Sequence, residues 1–446
     1  MFLLDYLKPA KPIEPIKDVG AINKLFRKYR LNIIFAMTLG YGFYYTCRLG
    51  LSVVKKPLID GGILSPEQLG QIGAAMFYGY AFGKFVNGFL ADHLNIRKLF
   101  VMGLVLSGLC NLFFGFSHLL WIFILVWAIN GWVQSLGAGS CVVSLAHWYT
   151  FHERGRYYGI WSTSHSIGEG LTFIVSSTLV TYFGWRAGFL GPGVACIALS
   201  GLFYWLMQDR PAACGLPRVS DWKNEHGQIV EPKTLNTFSA QMEIFKNPAI
   251  WILCFASAMM YITRYAVTSW GMLFLQEAKG YNTVQAGTLL GINTFMGVIG
   301  GLVYGYISDK TFNGRRPPAS FLYGIFELLS LAIIFIFPVT NFYILASAFA
   351  LFGFTIGGML LGFAGLFAVD IAPKKAAGAV VGFIGIFSYI ATALQEHISG
   401  YLIEKHSQIV DGVMKYDFSS AIIFWIGASL IATLLGLLVW NAKIEE

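Results

Sequence analysis

Apolar stretches of about 20 residues recur along the chain from Leu31 to Trp440, separated by short polar breaks. A bilayer core of roughly 30 Å requires a helix of this length. The stretches do not alternate between apolar and polar residues, as the strands of a membrane β-barrel would. The pattern therefore predicts an all-α membrane protein with twelve spans, at about 31–54, 66–91, 98–117, 120–148, 157–183, 185–208, 249–276, 283–307, 319–338, 342–370, 375–402 and 417–441.

The composition agrees with a chain embedded in lipid. Apolar residues make up 56% of the 446 residues and charged residues 12%, against roughly a quarter charged in an average soluble domain. The N-terminal segment contains Lys8, Lys11 and several prolines. It therefore lacks the uninterrupted apolar core of a signal peptide, and the first span is expected to stay in the mature protein.

Several function classes find no support in the sequence. The six cysteines are scattered without a CxxC pair, so neither a zinc site nor a disulfide framework is indicated. The chain has no phosphate-binding GxxxxGK[ST] loop, nucleophile elbow or metal-ligand cluster, and we expect neither an enzyme nor a cofactor. The net charge of +8 comes from basic residues in short loops, which membrane topology explains better than a nucleic-acid partner does.

The distribution of basic residues predicts an orientation. Most of the 31 lysines and arginines fall in the two terminal segments, the central polar segment and the loops on the same side of the membrane. Cytoplasmic loops are enriched in lysine and arginine, so both termini are predicted to be cytoplasmic. The outer loops then hold only Lys55, Lys56, Arg186, Lys279, Lys405 and Lys415.

The two halves of the chain repeat one another. A long polar segment, 209–248, reads as a cytoplasmic linker between two six-helix bundles, 1–208 and 249–446. Arg48 in the first span and Arg264 in the seventh are 216 positions apart, and Asp92 and Asp309, after spans two and eight, are 217 apart. Two landmarks at nearly one offset indicate a parallel duplication.

Three basic residues lie inside predicted spans: Arg48, Arg264 and Lys84. A charge at the bilayer centre costs about 2.5–3.5 kcal/mol on insertion scales, and function is the usual compensation. Pairing with a carboxylate or extension to the lipid headgroups is the structural alternative; the span-embedded acids that could pair are Glu169, Glu327 and Glu396. Equivalent arginines in the two halves can converge on one ligand at the midplane, and a guanidinium fork suits the oxygens of a phosphate.

Two loop motifs resemble the signature of the major facilitator superfamily. GFLADHLNIRK follows span two and GYISDKTFNGRR follows span eight. In that superfamily the aspartate and a basic residue pair at a cytoplasmic gate. The resemblance implies two six-helix bundles and gate residues Asp92, Arg97, Asp309 and Arg315.

Further segments, spread nearly end to end, resemble the organophosphate:phosphate antiporter family. They are GYGFYYTCRLG (Gly40–Gly50), YGYAFGKFVNGFLAD (Tyr78–Asp92), HERGRYYGIWSTSHSIGEG (His152–Gly170), GWRAG (Gly184–Gly188), DRPAACGLP (Asp209–Pro217), YITRYAVTSWG (Tyr261–Gly271), SDKTFNGRR (Ser308–Arg316) and APKKAAGAVVGFIGIFSY (Ala372–Tyr389). The short segments favour the bacterial hexose-phosphate transporter and sensor branch. The resemblance implies exchange of a phosphorylated small molecule for inorganic phosphate, without ATP.

The family's binding site transfers to this chain residue by residue. Arg48 and Arg264 match the pair that grips phosphate, Lys84 the basic residue of span two, and His165 the histidine of span five. Five tyrosines match residues that line the family's cavity, although packing between helices is the alternative for any single one: Tyr41, Tyr45, Tyr80, Tyr261 and Tyr389. Tyr45, Tyr80 and Tyr261 lie three or four positions before Arg48, Lys84 and Arg264, which places each on its neighbour's helix face.

Glu169 departs from the family, which usually has glycine there. It lies four positions after His165, where a carboxylate favours the charged imidazolium. An added carboxylate also repels a phosphate dianion unless it is neutralised. Glu169 is therefore a candidate modulator of the site.

The function expected from these observations is exchange of a hexose 6-phosphate for inorganic phosphate by alternating access, in a monomer of the bacterial inner membrane in contact with lipid. A glycerol-3-phosphate antiporter is one alternative. A second is a hexose-phosphate sensor with little flux, for which a membrane sensor kinase would be the partner. A third is a proton-coupled carrier of another anion or a sugar, suggested by Glu169, Glu396 and His397.

Overall fold

The structure is a computed structural model that describes residues 7–223, 245–371, 377–410 and 413–440. Helices account for all twelve predicted spans within these ranges, which confirms the all-α fold class. Their bounds are α1 Val19–Asp60, α2 Pro66–His93, α3 Ile96–Phe116, α4 Leu120–Trp148, α5 Phe151–Leu171, α6 Ser177–Phe183, α7 Ala187–Leu206, α8 Val219–Trp222, α9 Pro248–Tyr265, α10 Gly271–Glu277, α11 Thr283–Lys310, α12 Arg316–Leu331, α13 Phe342–Leu361, α14 Phe367–Asp370, α15 Ala377–Lys405 and α16 Ser419–Leu438.

Several details differ from the pattern of apolar runs. The helix α1 begins and ends well outside the predicted span 31–54, because its basic residues are compatible with helix even where they break the apolar run. Two short strands, Gln408–Val410 and Val413–Lys415, pair in antiparallel orientation before α16. Eight helices in the described ranges are long and apolar enough to cross a membrane by length and composition alone, among them Ile96–Phe116 and Ser419–Leu438.

Four of the described helical segments contain a π-helical turn. These turns are Thr172–Ser176 between α5 and α6, Ala266–Trp270 between α9 and α10, Ala332–Ile336 after α12, and Gly362–Leu366 between α13 and α14. A π turn inserts an extra residue into the helix and is frequent at functional sites. Neither apolar periodicity nor helix propensity distinguishes such a turn from an α-helix.

The chain divides into two compact units. Unit 1 comprises Met1–Gly50, Gly79–Thr172 and Arg186–Lys233, and unit 2 comprises Leu51–Tyr78, Phe173–Trp185 and Thr234–Glu446. Unit 2 thus contains the last part of α1 and the first part of α2. The predicted division at 209–248 stays a prediction, since residues 224–244 lie outside the described ranges.

The core of unit 1 lies where α3 packs against α4 and α7. The ring of Phe114 on α3 lies 4.7 Å from the ring of Trp127 on α4 and 4.3 Å from the ring of Phe189 on α7, measured between centroids. Aromatic pairs at this separation contribute beyond the apolar area that they bury. These ring contacts hold α3 against both α4 and α7.

Asp209 ties the end of α7 to the start of α3. Its carboxylate accepts hydrogen bonds from the backbone N–H of Ile96 (2.9 Å), the side-chain amide of Asn95 (3.2 Å) and the backbone N–H of Ala10 (2.8 Å). Its own carbonyl oxygen accepts a bond from the indole of Trp148. A carboxylate is favourable at a helix N-terminus, where backbone N–H groups lack partners within the helix.

In unit 2, α11 and α13 approach each other closely enough for glycine backbones to touch the neighbouring helix. A Cβ atom on Gly300, Gly353 or Gly357 would collide with a backbone carbonyl of the other helix. Small residues allow such close packing, which provides much of the association energy between helices in lipid. Elsewhere in the unit, α9 packs against α15 and α16.

Candidate functional site

Arg48 lies in unit 1 at the centre of an aromatic cluster. The residue is 2% exposed, and its guanidinium carbon lies 4.3 Å from the ring centre of Tyr80 and 5.3 Å from that of Tyr45. A cation within about 6 Å of an aromatic ring is attracted to the ring face. The hydroxyl oxygens of Tyr41 and Tyr80 are 3.4 Å apart.

His165 of α5 borders the same tyrosines. Its ring centre lies 5.1 Å from that of Tyr45 and 5.3 Å from that of Tyr41. Its Nδ1 atom lies 2.8 Å from the carbonyl oxygen of Ser162; because a carbonyl only accepts, Nδ1 is the donor. We call Arg48, Tyr41, Tyr45, Tyr80 and His165 the Arg48 cluster. The structure thus brings five of the predicted site residues together within unit 1.

Lys84 and Glu169 are placed relative to this cluster by helix spacing. Lys84 lies one turn after Tyr80 on α2, with an exposed side chain. Glu169 lies one turn after His165 on α5 and is 5% exposed. Residues four apart share a helix face, so each belongs to the side of its helix that carries a cluster residue.

Amide side chains from α3 and α4 hold α1 beside Arg48. The carbonyl oxygen of Cys47 accepts hydrogen bonds from Asn111 (2.8 Å) and Asn130 (3.0 Å), and that of Tyr44 accepts one from Gln134 (2.7 Å). Buried hydrogen bonds from side-chain amides to backbone carbonyls give a helix a defined position. These positioning residues are not among the predicted site residues; the signal for them in the sequence is an amide side chain within an otherwise apolar span.

Arg264 forms a similar cluster within unit 2. Its guanidinium carbon lies 5.4 Å from the ring centre of Tyr265 and 5.9 Å from that of Tyr261, and the rings of Tyr261 and Tyr389 meet edge to face at 5.7 Å. The π turn Ala266–Trp270 begins directly after Tyr265. Arg264, Tyr261, Tyr265 and Tyr389 are called the Arg264 cluster below; Tyr265 is the member that was not predicted.

Lys55 was predicted to lie in an outer loop, and this is wrong. The residue lies in α1 and is completely buried. Its Nζ atom lies 3.3 Å from the carboxylate of Glu396 on α15 and donates to the hydroxyl of Ser269 at 2.9 Å. Glu396, suggested above as a partner for the buried arginines, is thus paired with this lysine. Glu327, the other such candidate in unit 2, accepts a hydrogen bond from Ser429. Sequence spacing could not reveal these pairs, because their members are far apart in the chain.

Comparison with known proteins places the chain in a family. The sequence profile of the Major Facilitator Superfamily matches residues 31–395. The chain belongs to this superfamily. It is accordingly an integral, multi-pass membrane protein. The bacterial homolog of the human lysosomal transporter Spinster, in its inward-facing, unoccupied crystal structure, has the same fold, with a TM-score of 0.73 at 15% identity over 94% of this chain and 99% of that one.

Curated relatives confirm the resemblance to the organophosphate:phosphate antiporter branch. The "Membrane sensor protein UhpC" of Salmonella typhimurium is 32% identical over 91% of this chain and 92% of its own. A "Probable hexose phosphate transport protein" of Chlamydia trachomatis is 32% identical, with 98% and 96% covered. A "Glycerol-3-phosphate transporter" of Bacillus subtilis is 30% identical, with 98% of each chain covered.

The loop motifs of the superfamily are only partly arranged as predicted. Arg316, not Arg315, binds Asp309, with 2.6 Å between guanidinium nitrogen and carboxylate oxygen, and it also binds Asp370 at 2.7 Å. Arg315 extends toward Trp440 instead, since adjacent residues at the start of a helix point in different directions.

In the corresponding loop of the first half, Arg97 stacks on the ring of Tyr204 at 3.7 Å. The side chain of Asp92, predicted as its gate partner, lies outside the described residues. The gate role of both loops stays a prediction.

Substituting Arg316 by glutamine is expected to destabilise the protein by about 1–2 kcal/mol, because two carboxylates would lose charge-assisted hydrogen bonds and face each other. Arg315→Gln, the matched control, should stay within about 0.5 kcal/mol, as is usual at the surface. Thermal unfolding midpoints in detergent measure both. Equal losses in the two variants would contradict the assignment of Arg316.

Proposed function

We propose that this protein exchanges a hexose phosphate for inorganic phosphate across the bacterial inner membrane, with both termini cytoplasmic. The observation that carries the proposal is the Arg48 cluster. It holds a deeply buried guanidinium against tyrosine rings that a histidine also contacts, and a charged side chain within a membrane span is costly and usually functional. The relative named as a hexose phosphate transport protein supports the choice of substrate.

In the proposed mechanism, Arg48 and Arg264 bind the phosphate group, and the tyrosines of both clusters donate hydrogen bonds to it. Lys84 and His165 assist, and Glu169 is a modulator of the site. Residues 1–208 move against 249–446 to expose the ligand alternately on the two sides. Binding a dianion neutralises the positive charges of the site, so the loaded carrier passes through the occluded state more easily than the empty one, and exchange is obligatory.

Competition in proteoliposomes tests the substrate. Exchange of labelled inorganic phosphate should be inhibited by glucose 6-phosphate more strongly than by glycerol 3-phosphate, and not by free glucose. Stronger inhibition by glycerol 3-phosphate would favour the alternative suggested by the Bacillus subtilis relative. Inhibition by free glucose would contradict recognition of the phosphate group.

A sensor is the second candidate function, favoured by the relative named as a membrane sensor protein. It would bind hexose phosphate with little flux and signal through a membrane sensor kinase. Saturable binding of glucose 6-phosphate to the purified protein, without exchange in proteoliposomes, would support it. A dependence of exchange on the pH gradient would instead support a proton-coupled carrier.

A further inference from the structure

The Lys55–Glu396 pair is a buried ion pair that the proposed binding site does not use. The side chain of Lys55 is 0% exposed and that of Glu396 is 1% exposed. The Lys55 ammonium also lies 3.3 Å from the ring centre of Trp270 and donates to Ser269. Both of these residues belong to the π turn that follows the Arg264 cluster.

Two glycines on α2 allow this helix to pack closely against Glu396. A Cβ atom on Gly73 would lie 2.8 Å from Glu396 Oε2, and one on Gly70 would lie 2.5 Å from the Glu396 carbonyl oxygen. The start of α2 therefore packs directly on α15 around this carboxylate. Lys56, the next residue on α1, forms a separate and more exposed ion pair with Glu277 at the end of α10.

Helix spacing relates this ion pair to the proposed phosphate site. Lys55 follows Arg48 by seven residues on α1, and Glu396 follows Tyr389 by seven on α15. Seven residues are nearly two turns, about 10 Å along the helix, and return to the same face. On each helix, the member of the ion pair therefore lies on the same face as a residue that is proposed to bind phosphate. On α1, Lys55 lies between Arg48 and the Asp60 end of the helix.

We propose that Lys55 is a second binding site for the phosphate group, masked by Glu396 in this conformation. The inference rests on the proposed function. When α1 and α2 separate from α15, Lys55 loses its carboxylate partner, and an incoming phosphate dianion takes the place of the carboxylate. An ammonium group binds phosphate as a point charge with three donors, and the exchange of one anion for another avoids leaving a buried lysine unpaired. The site recruits substrate from the side of the membrane at the Asp60 end of α1.

The test compares the KM for inorganic phosphate on the two sides of the membrane, in proteoliposomes of known orientation. The double variant Lys55→Met/Glu396→Gln removes the cation and leaves no unpaired charge. For phosphate added on the side of the membrane at the Asp60 end of α1, the KM of this variant should rise about tenfold. For phosphate added on the other side, the KM should stay within about twofold of the unmodified value. Glu396→Gln alone should lower the KM at the Asp60 end, because the competing carboxylate is gone. The matched control, Lys56→Met/Glu277→Gln, should leave both values within about twofold.

The possible results distinguish a phosphate-binding site from a structural contact. An unchanged KM in the Lys55→Met/Glu396→Gln variant would make the pair a structural contact only and overturn the proposal. Should that variant fail to fold, Glu396→Gln decides alone, and an unchanged or raised KM at the Asp60 end overturns it. Absence of phosphate exchange by the unmodified protein would instead overturn the proposed function, and this inference with it.

Discussion

Replacing Arg48 by lysine is expected to lower the rate of phosphate exchange at subsaturating substrate by about 10- to 100-fold. Lysine keeps the positive charge but loses the planar fork that binds two phosphate oxygens at once. Hydrogen bonds to charged groups contribute about 1.5–3 kcal/mol, which corresponds to this range of rates. Arg264→Lys should have an effect of similar size. Initial rates with labelled inorganic phosphate in proteoliposomes measure both.

The control for Arg48→Lys is Arg156→Lys, which makes the same chemical change at an exposed position on α5. It should exchange phosphate at the unmodified rate. If Arg48→Lys also retained the full rate, bidentate recognition of phosphate by Arg48 would be wrong. A separate measurement of thermal unfolding excludes a loss of folded protein as the cause.

Replacing Asp209 by alanine is expected to destabilise the protein by about 3 kcal/mol. The change leaves two buried donors, the N–H group of Ile96 and the amide of Asn95, without their acceptor, and a buried donor without a partner costs about 1–3 kcal/mol. The N–H group of Ala10, which is exposed, can bond to water instead. The unfolding midpoint of the detergent-solubilised protein should fall accordingly.

Asp18 provides a matched control for this prediction. Its carboxylate also accepts bonds from backbone N–H groups, those of Gly20 and Ala21, but it is exposed, so water can replace it. Asp18→Ala should cost about 1 kcal/mol or less, a typical value for a helix N-cap. If Asp18→Ala lost as much stability as Asp209→Ala, or more, the explanation by burial of Asp209 would be wrong.

The binding-site residues differ in how far the sequence could identify them. The types and helix positions of Arg48, Tyr45 and His165 followed from the repeat and the family resemblance, and unit 1 brings them together. Tyr265 was missed although it adjoins Arg264. A tyrosine next to an arginine does not share its helix face in a regular α-helix, and the π turn that begins at Ala266 was not visible in the sequence.

The sequence alone determined the number and approximate position of the spans, the repeat, and the residue types available to bind an anion. These properties are local, because bilayer thickness and backbone hydrogen bonding set the length of each apolar helix. Only the tertiary structure decided which charges pair. Lys55 meets Glu396 across 341 positions, and Arg316 rather than Arg315 meets Asp309. Such pairs depend on which helices pack together and on how each helix is rotated about its axis. Contacts between helices set both, so no single segment of the sequence determines them.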